Sequence, residues 1–149
     1  VAGAEAAGRT AAPDIWRVVR TIVGAPSDEE ALDHVLVPEG PLSFWFRYVL
    51  SAMRARGVLE LLGPAGHPDP DSLTWQEVAE EQVTWGAPET VVDELEALRH
   101  LTGPFGVLTA MAVEWQDLDF GRRSMRLLAE EVVPELSRRC DTDRSWRRS

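Results

Sequence analysis

The side chains best able to build a site are the aromatic run Phe44-Trp45-Phe46, followed by Tyr48. Together with Leu42, Val49, Leu50 and Met53 they make a helix that is apolar over more than half its girth. Such a helix needs contact on two sides, so its plainest reading is core or a partner-facing surface. Other candidate groups are scattered. His34, His67 and His100 match no metal-ligand spacing such as HExxH, and no metal is expected. His67 sits in a Gly/Pro-rich loop and reads as solvated. His100 falls in the last turn of a helix, where a cation is favourable. Cys140 lies beside Arg138 and Arg139, whose charge can lower a thiol pKa. No base is matched to it in sequence, so it reads as a surface thiol. There is no GxSxG, and Gly24-Ala-Pro-Ser27 is a helix start rather than a nucleophile elbow. No Walker A or GxGxxG loop is present, and no catalytic residue is named by motif.

Composition bounds the partners. The chain has 149 residues, 44% apolar and 27% charged, with a net charge of −10. That is one ordinary globular domain's worth of chain. The negative charge disfavours a nucleic-acid surface, which needs a basic stripe. The single cysteine excludes an intrachain disulfide. Residues 1–8 lack the basic start and apolar core of a signal peptide. The most apolar stretch, Leu42–Leu62, is interrupted by Arg47, Arg54, Arg56 and Glu60, so no membrane span is expected. The expectation is a soluble, cytoplasmic protein. The chain opens on Val1 rather than Met, so an incomplete start is also expected.

The elements that must position these groups read as one partial domain, 1–149. Residues 1–7 end a helix at Gly8, and Arg9–Asp14 is a loop holding Pro13. Residues 16–23 (Trp-Arg-Val-Val-Arg-Thr-Ile-Val) read as a strand buried on both faces, as in a parallel sheet. A helical insertion follows over 28–81. Its first helix opens with a capping box of Ser27 and Glu30, its second spans Pro41–Arg56 with Gly57 as stop, and Val58–Leu62 continues after a kink. Gly63–Ser72, rich in Pro and Gly, reads as a linker loop. Thr74 and Glu77 form a second capping box, opening a short helix to about Glu81. Trp85-Gly-Ala-Pro88 starts a helix over 88–101 with a Val91, Val92, Leu95, Leu98 stripe, ended by Thr102-Gly-Pro104. Residues 105–113 read as a second buried strand. A final helix, 120–139, capped by Asp117 or Asp119, shows a Met125, Leu128, Val132, Leu136 stripe that Pro134 should kink. A polar tail, 140–149, ends the chain. Strands alternating with helices predict an α/β fold with a parallel sheet. Two strands cannot cover both faces and both edges, so a larger fold or a partner must supply the rest.

Four segments, in order, resemble the luciferase-like flavin-dependent monooxygenases. They are Trp16–Ala31 with its Ser-Asp-Glu-Glu-Ala turn, the Gly-x-Pro-Glu-x-Val helix start at Trp85–Leu98, Phe105–Ala110, and the closing helix Ser124–Leu136 with its terminal proline. The resemblance implies a TIM (β/α)8 barrel of which this chain holds the C-terminal portion: strand seven, a helical insertion, helix seven, strand eight and helix eight. It implies FMN, or a deazaflavin, an organic small-molecule substrate, and O2 in the oxygenating branch. It further implies that most of the barrel is missing, so that this length of chain is not active alone. By the rule that barrel sites lie at the C-terminal mouth, Gly24, Thr109 and Met111 are expected to face the cofactor, with Val23 and Ala110 beside them. Phe44, Trp45 and Tyr48 are expected to form a lid over the substrate, excluding water. A homo-oligomer, or the remainder of a longer chain, is the expected partner. The alternative is a non-catalytic barrel remnant acting as an interaction subunit.

Overall fold

The structure is a computed structural model that describes residues 2–10, 12, 15–64, 67–103, 105–113, 115 and 117–142. Pro13, Pro104 and the tail from 143 onward lie outside the described residues. Three parallel strands carry the fold: β1 (Arg17–Gly24), β2 (Val83–Gly86) and β3 (Val107–Met111), in the order β2-β1-β3. The helices are α1 (Ala2–Ala6), α2 (Asp28–Val35), α3 (Pro41–Arg56), α4 (Trp75–Gln82), α5 (Pro88–Thr102), α6 (Leu118–Leu127) and α7 (Val133–Thr142). The two long strands, the helices up to α5 and the parallel pairing follow the sequence expectation, with β1 and β3 bounded a residue or two differently.

β1 is the hub, and its two neighbours are staggered along it. Its first half pairs with β3, from Arg17 opposite Val107 to Thr21 opposite Met111. Its second half pairs with β2, from Thr21 opposite Val83 to Gly24 opposite Gly86. β2 is a correction to the sequence reading, which counted two strands and treated this stretch as a gap before a helix start. The tetrapeptide Val-Thr-Trp-Gly is too short for a periodic signal, and its pairing with β1 is a long-range event.

Side chains alternate across the sheet. On one face Val23 and Val83 join α2, α3 and α4 in a core that includes Val35, Phe46, Leu50, Val78 and Phe120. On the other, Ile22 packs with Val91, Val92 and Leu95 of α5 and with Val132, with Leu108 at the margin. β3 departs from expectation. The expectation is a buried strand, yet most of β3 is exposed: β2, also an outer strand, is packed by helices, whereas no described element covers the outer edge of β3. β1 mirrors this: Arg17 and Val19 are exposed, while Thr21 to Gly24 are buried.

Helix ends follow local chemistry. Thr74 and Glu77 form the full capping box at α4. At α2 only half of the expected box exists: Ser27 accepts from the Glu30 amide, while the Glu30 carboxylate lies 3.9 Å from Arg123. Asp117, not Asp119, caps α6, accepting from the Asp119 and Phe120 amides. The final helix is not one α-helix over 120–139. A π-helical turn, Leu128–Val132, separates α6 from α7, with the Val133 amide donating to the Leu128 carbonyl. Pro134 has no N–H and its ring collides with a carbonyl four residues back, so the ladder widens just before it. That widening shifts the buried stripe. Val132 is fully buried and Leu136 packs beside it, but Met125 is exposed, and Phe120, Gly121 and Ser124 take the inward positions of α6. The Gly63–Ser72 connection, read as a linker, folds back onto α4: Gln82 Nε2 donates to the Leu62 carbonyl at 3.1 Å, and Leu73 is buried.

Two polar ties lock the layers. The Asp28 carboxylate, in the first turn of α2, accepts from the Ala87 amide at 2.7 Å. It thereby caps α5, whose own N-cap, Ala87, has no side-chain acceptor. This bond, followed by one from Thr90, holds the Asp28 carboxyl below its ordinary range. Gly86 makes the approach possible: its φ is +142°, and a Cβ there would lie 2.6 Å from Asp28 Oδ1. On the opposite side Arg139 bridges Asp93 at 2.6 Å, Glu96 at 2.9 Å and Glu135 at 2.9 Å, tying α7 to α5. Glu135 also binds Arg138, and hydrogen bonds from Arg138 and then Arg139 hold its carboxyl down to about 2.

Gly86→Ala is expected to destabilise the fold by about 2–3 kcal/mol, from the strained φ together with displacement of Asp28. Urea titration reads this as a lower midpoint at unchanged slope, and a variant with the wild-type midpoint would refute the role given to the turn. The acid response of Glu135 has a defined sign. A carboxylate whose folded pKa lies below its ordinary 4.5 stabilises fully above 4.5, and that stabilisation is lost as pH falls toward about 2. Thermal melts of wild type and Glu135→Gln should therefore differ at neutral pH and converge near the lower value. Curves that stay parallel throughout would exclude this assignment.

Candidate functional site

The uncovered half of the sheet and one side of α3 enclose a groove of about 430 Å³. That size falls within the range of small-molecule sites, roughly 300–1,000 Å³. Val19, Thr21 and Met111, which share one sheet face, line it from the strands; Trp45, Tyr48, Val49 and Met53 line it from α3. The spacing of these α3 residues by three and four places them along one side of a helix. The more deeply buried side, Ser43, Phe46 and Leu50, anchors that helix in the core. Gly40 and Pro41 start α3, and the Ser43 hydroxyl donates to the Gly40 carbonyl at 2.8 Å. The Trp45 and Tyr48 rings lie 6.1 Å apart at 37°, an arrangement within the favourable aromatic range. They are 38% and 60% exposed.

A second cleft lies between the ends of β1 and β3 and the start of α3, lined by Thr21, His34, Leu42, Ala112 and Trp115 among others. It offers about 30 Å³, room for a water and not for a ring system. His34 beside it is stacked on Phe120, with centroids 3.3 Å apart. Burial lowers the His34 pKa, against the opposing charges of Asp117 and Glu30, so this ring is a packed neutral imidazole at neutral pH.

The expected site residues divide. Met111, Trp45 and Tyr48 meet in the groove. Thr109 is exposed on the same strand face as Met111, two residues earlier. Ala110 points to the opposite face, and Val23 is buried in the core. Phe44 is 76% exposed and does not line the groove, because one helix step turns it away from Trp45. Gly24 is buried beneath α6: its amide donates to Ser124 Oγ at 2.9 Å, and a Cβ would meet Ser124 and Leu127. Sequence reasoning missed the polar rim of Arg20, Arg56 and Gln82. The spacing of Arg56 from Trp45 and Tyr48 along α3 could have signalled it. Arg20 and Gln82 could not have been found, since they converge only when β2 docks on β1.

The remaining titratable groups have structural occupations. Arg20 donates from Nε to Thr84 Oγ1 at 3.1 Å and from Nη2 to the Glu81 carbonyl at 2.7 Å. Glu94 bonds Thr84 and the Trp85 amide, and burial raises its pKa despite the nearby charge of Arg20. Cys140, read as a surface thiol, is instead half-buried and accepts from Arg99 at 3.2 Å. His67 accepts the Asp69 amide at Nδ1 and lies 3.9 Å from Glu77, so it staples its own loop. Among the described residues no group of three or more His, Cys, Asp or Glu could hold a metal ion. No helix among them is long and apolar enough to cross a membrane.

No family model matches the chain. It is 29% identical over 132 residues to 3,6-diketocamphane 1,6-monooxygenase from Pseudomonas putida, spanning 87% of this chain and 34% of that enzyme. Among solved structures, it is similar to the oxygenating constituent of 3,6-diketocamphane monooxygenase from P. putida, a type II Baeyer-Villiger monooxygenase in complex with FMN. The TM-score is 0.73 at 29% identity, covering 89% of this chain and 37% of the other. The monooxygenase RslO1 from Streptomyces bottropensis shares the fold, with a TM-score of 0.55 at 20% identity over 90% of this chain and 35% of its own. The chain thus spans about a third of the length of the relatives it matches. Over that region it is a homologue of the luciferase-like flavin-dependent monooxygenases.

Proposed function

We propose that this chain is the C-terminal part of a TIM-barrel flavin-dependent monooxygenase acting on an organic small molecule in the cytoplasm. β1 and β3 act as barrel strands seven and eight, and α3 is the lid over the C-terminal mouth. The observation that carries the reading is the groove. A mainly apolar strand face at Val19, Thr21 and Met111 stands open opposite two exposed aromatic rings, where a parallel sheet is ordinarily covered. Its size and uncharged floor suit a flat tricyclic ring. FMN, rather than a deazaflavin, is supported by the FMN complex of the similar P. putida enzyme. Reduced FMN bound there supplies two electrons, so that O2 delivers one oxygen atom to the substrate and leaves the other as water.

This chain's residues orient and dry that chemistry. Met111 and Val19 present apolar contact to the bound rings. Thr109 offers a hydroxyl on the same strand face. Trp45 and Tyr48 close over the substrate and keep out water that would otherwise divert reactive intermediates. Phe44 is the outer edge of this lid and meets the rest of the barrel. Gly24 serves the site indirectly, its amide tying the C-terminal end of β1 to Ser124 of α6. The unpaired edges of β1 and β3, with Val19 57% and Val107 40% exposed, favour contact with further barrel strands, from a longer polypeptide or another subunit. The same edges favour a second reading, a non-catalytic remnant that only associates.

A chimera separates the two. Replacing the matching third of the P. putida oxygenating constituent with this chain is expected to give a folded protein that binds FMN. Trp45→Ala in the chimera should lower kcat/KM by at least about tenfold and raise peroxide released per turnover, with FMN affinity unchanged. A folded chimera that binds no FMN would overturn the enzymatic reading in favour of the associating remnant.

A further inference from the structure

The charged lining of the groove is one-sided. The chain carries a net charge of −10, yet among the described residues the groove is lined by Arg20 and Arg56 and by no carboxylate. Arg20 has Glu94 as a nearby carboxyl outside the groove lining. Arg20 spends its described hydrogen bonds on two uncharged acceptors, Thr84 Oγ1 and the Glu81 carbonyl, which fix its guanidinium at the rim. Arg56 is exposed and has no hydrogen-bond or ion-pair partner among the described residues. A helix C-terminus favours arginine on its own account, and α3 ends with two of them. Arg54 turns away to the Asp71 carbonyl at 3.2 Å, whereas Arg56 lines the groove. The aromatic pair and Arg56 thus sit at opposite ends of one helix side, with Tyr48 and Arg56 on the order of 12 Å apart along the axis at the α-helical rise.

We propose that the groove selects an amphiphilic organic acid. An aromatic or alicyclic body lies against Trp45, Tyr48 and Met111, and a carboxylate a few bonds away reaches Arg56. A guanidinium fork matches a carboxylate in shape as well as charge. The proposal rests on the groove being the substrate site and adds the class of substrate.

The probes are 4-(2-naphthyl)butanoate and its neutral isostere 4-(2-naphthyl)butanamide, titrated calorimetrically into the 149-residue chain at low salt. The acid is expected to bind at least about tenfold more tightly than the amide, an advantage that shrinks with added salt. Arg56→Met should abolish that preference and leave amide affinity within about twofold, since the exposed substitution keeps the stem. Tyr48→Ala should weaken both probes. Equal binding of acid and amide by wild type, or a preference that survives Arg56→Met, overturns the proposal. FMN and riboflavin serve as competitors. Displacement by FMN alone, with FMN binding weakened equally by Arg56→Met, would assign the arginine to the cofactor phosphate and also overturn it. If neither probe binds and the chain is a dimer dissociated by Val19→Asp, a second copy occupies the face instead. Acid-selective binding here alongside a chimera without FMN would separate failure of the flavin reading from failure of this one.

Discussion

The architecture depends on the two-sided, staggered hydrogen bonding of β1. A parallel strand satisfies its backbone only through neighbours that arrive from far along the chain. Here β2 comes some sixty residues later and β3 some ninety, and each takes a different half of β1. The consequence is geometric. Where β2 pairs, both faces are closed by helices and the residues Thr21 to Gly24 are buried. Where β3 pairs, one face remains open and becomes the floor of the groove.

That division is stabilised from the two sides by different chemistry. Asp28 and Gly86 join the turn after β1 to the turn after β2, so two of the four segments that resemble the monooxygenase family are hydrogen-bonded to each other. Behind the sheet, Arg139 gathers three carboxylates and fixes α7 against α5, while the π-turn ahead of Pro134 rotates Val132 inward to complete the apolar layer. Both devices act on the half of β1 that pairs with β2. The groove lies on the same sheet face as α2, α3 and α4, over the half of β1 that pairs with β3.

The groove joins three kinds of surface: an uncovered strand face, an exposed aromatic pair and an exposed arginine, Arg56. An apolar floor gives a ring system area to bury, aromatic walls define its orientation, and a cation gives one end of a ligand its sign. This chain spans about a third of the length of the homologous enzymes. The exposed edges of β1 and β3 are open to further strands.

Local chemistry made much of the fold legible in the sequence. Ser27, Thr74 and Asp117 announced helix starts, Gly57 a helix stop and Pro134 a disruption. The β-branched run at Arg17–Val23 announced its strand, because each of these signals acts within a few residues of itself. Trp45 and Tyr48 stood out by aromatic density, but only the barrel implied by the resemblance made them lid candidates. Tertiary structure decided what depends on distant segments meeting. Val83–Gly86 became a strand because β1 offered it an edge, and β3 is exposed because no described element lies beyond its outer edge. Gly24 was closed off by Ser124, a hundred residues away. Arg20 was brought to the rim of the groove by bonds to Thr84 and the Glu81 carbonyl. The physical reason is the same in each case: a short peptide's propensity is worth less than the long-range hydrogen bonds and burial that compete with it.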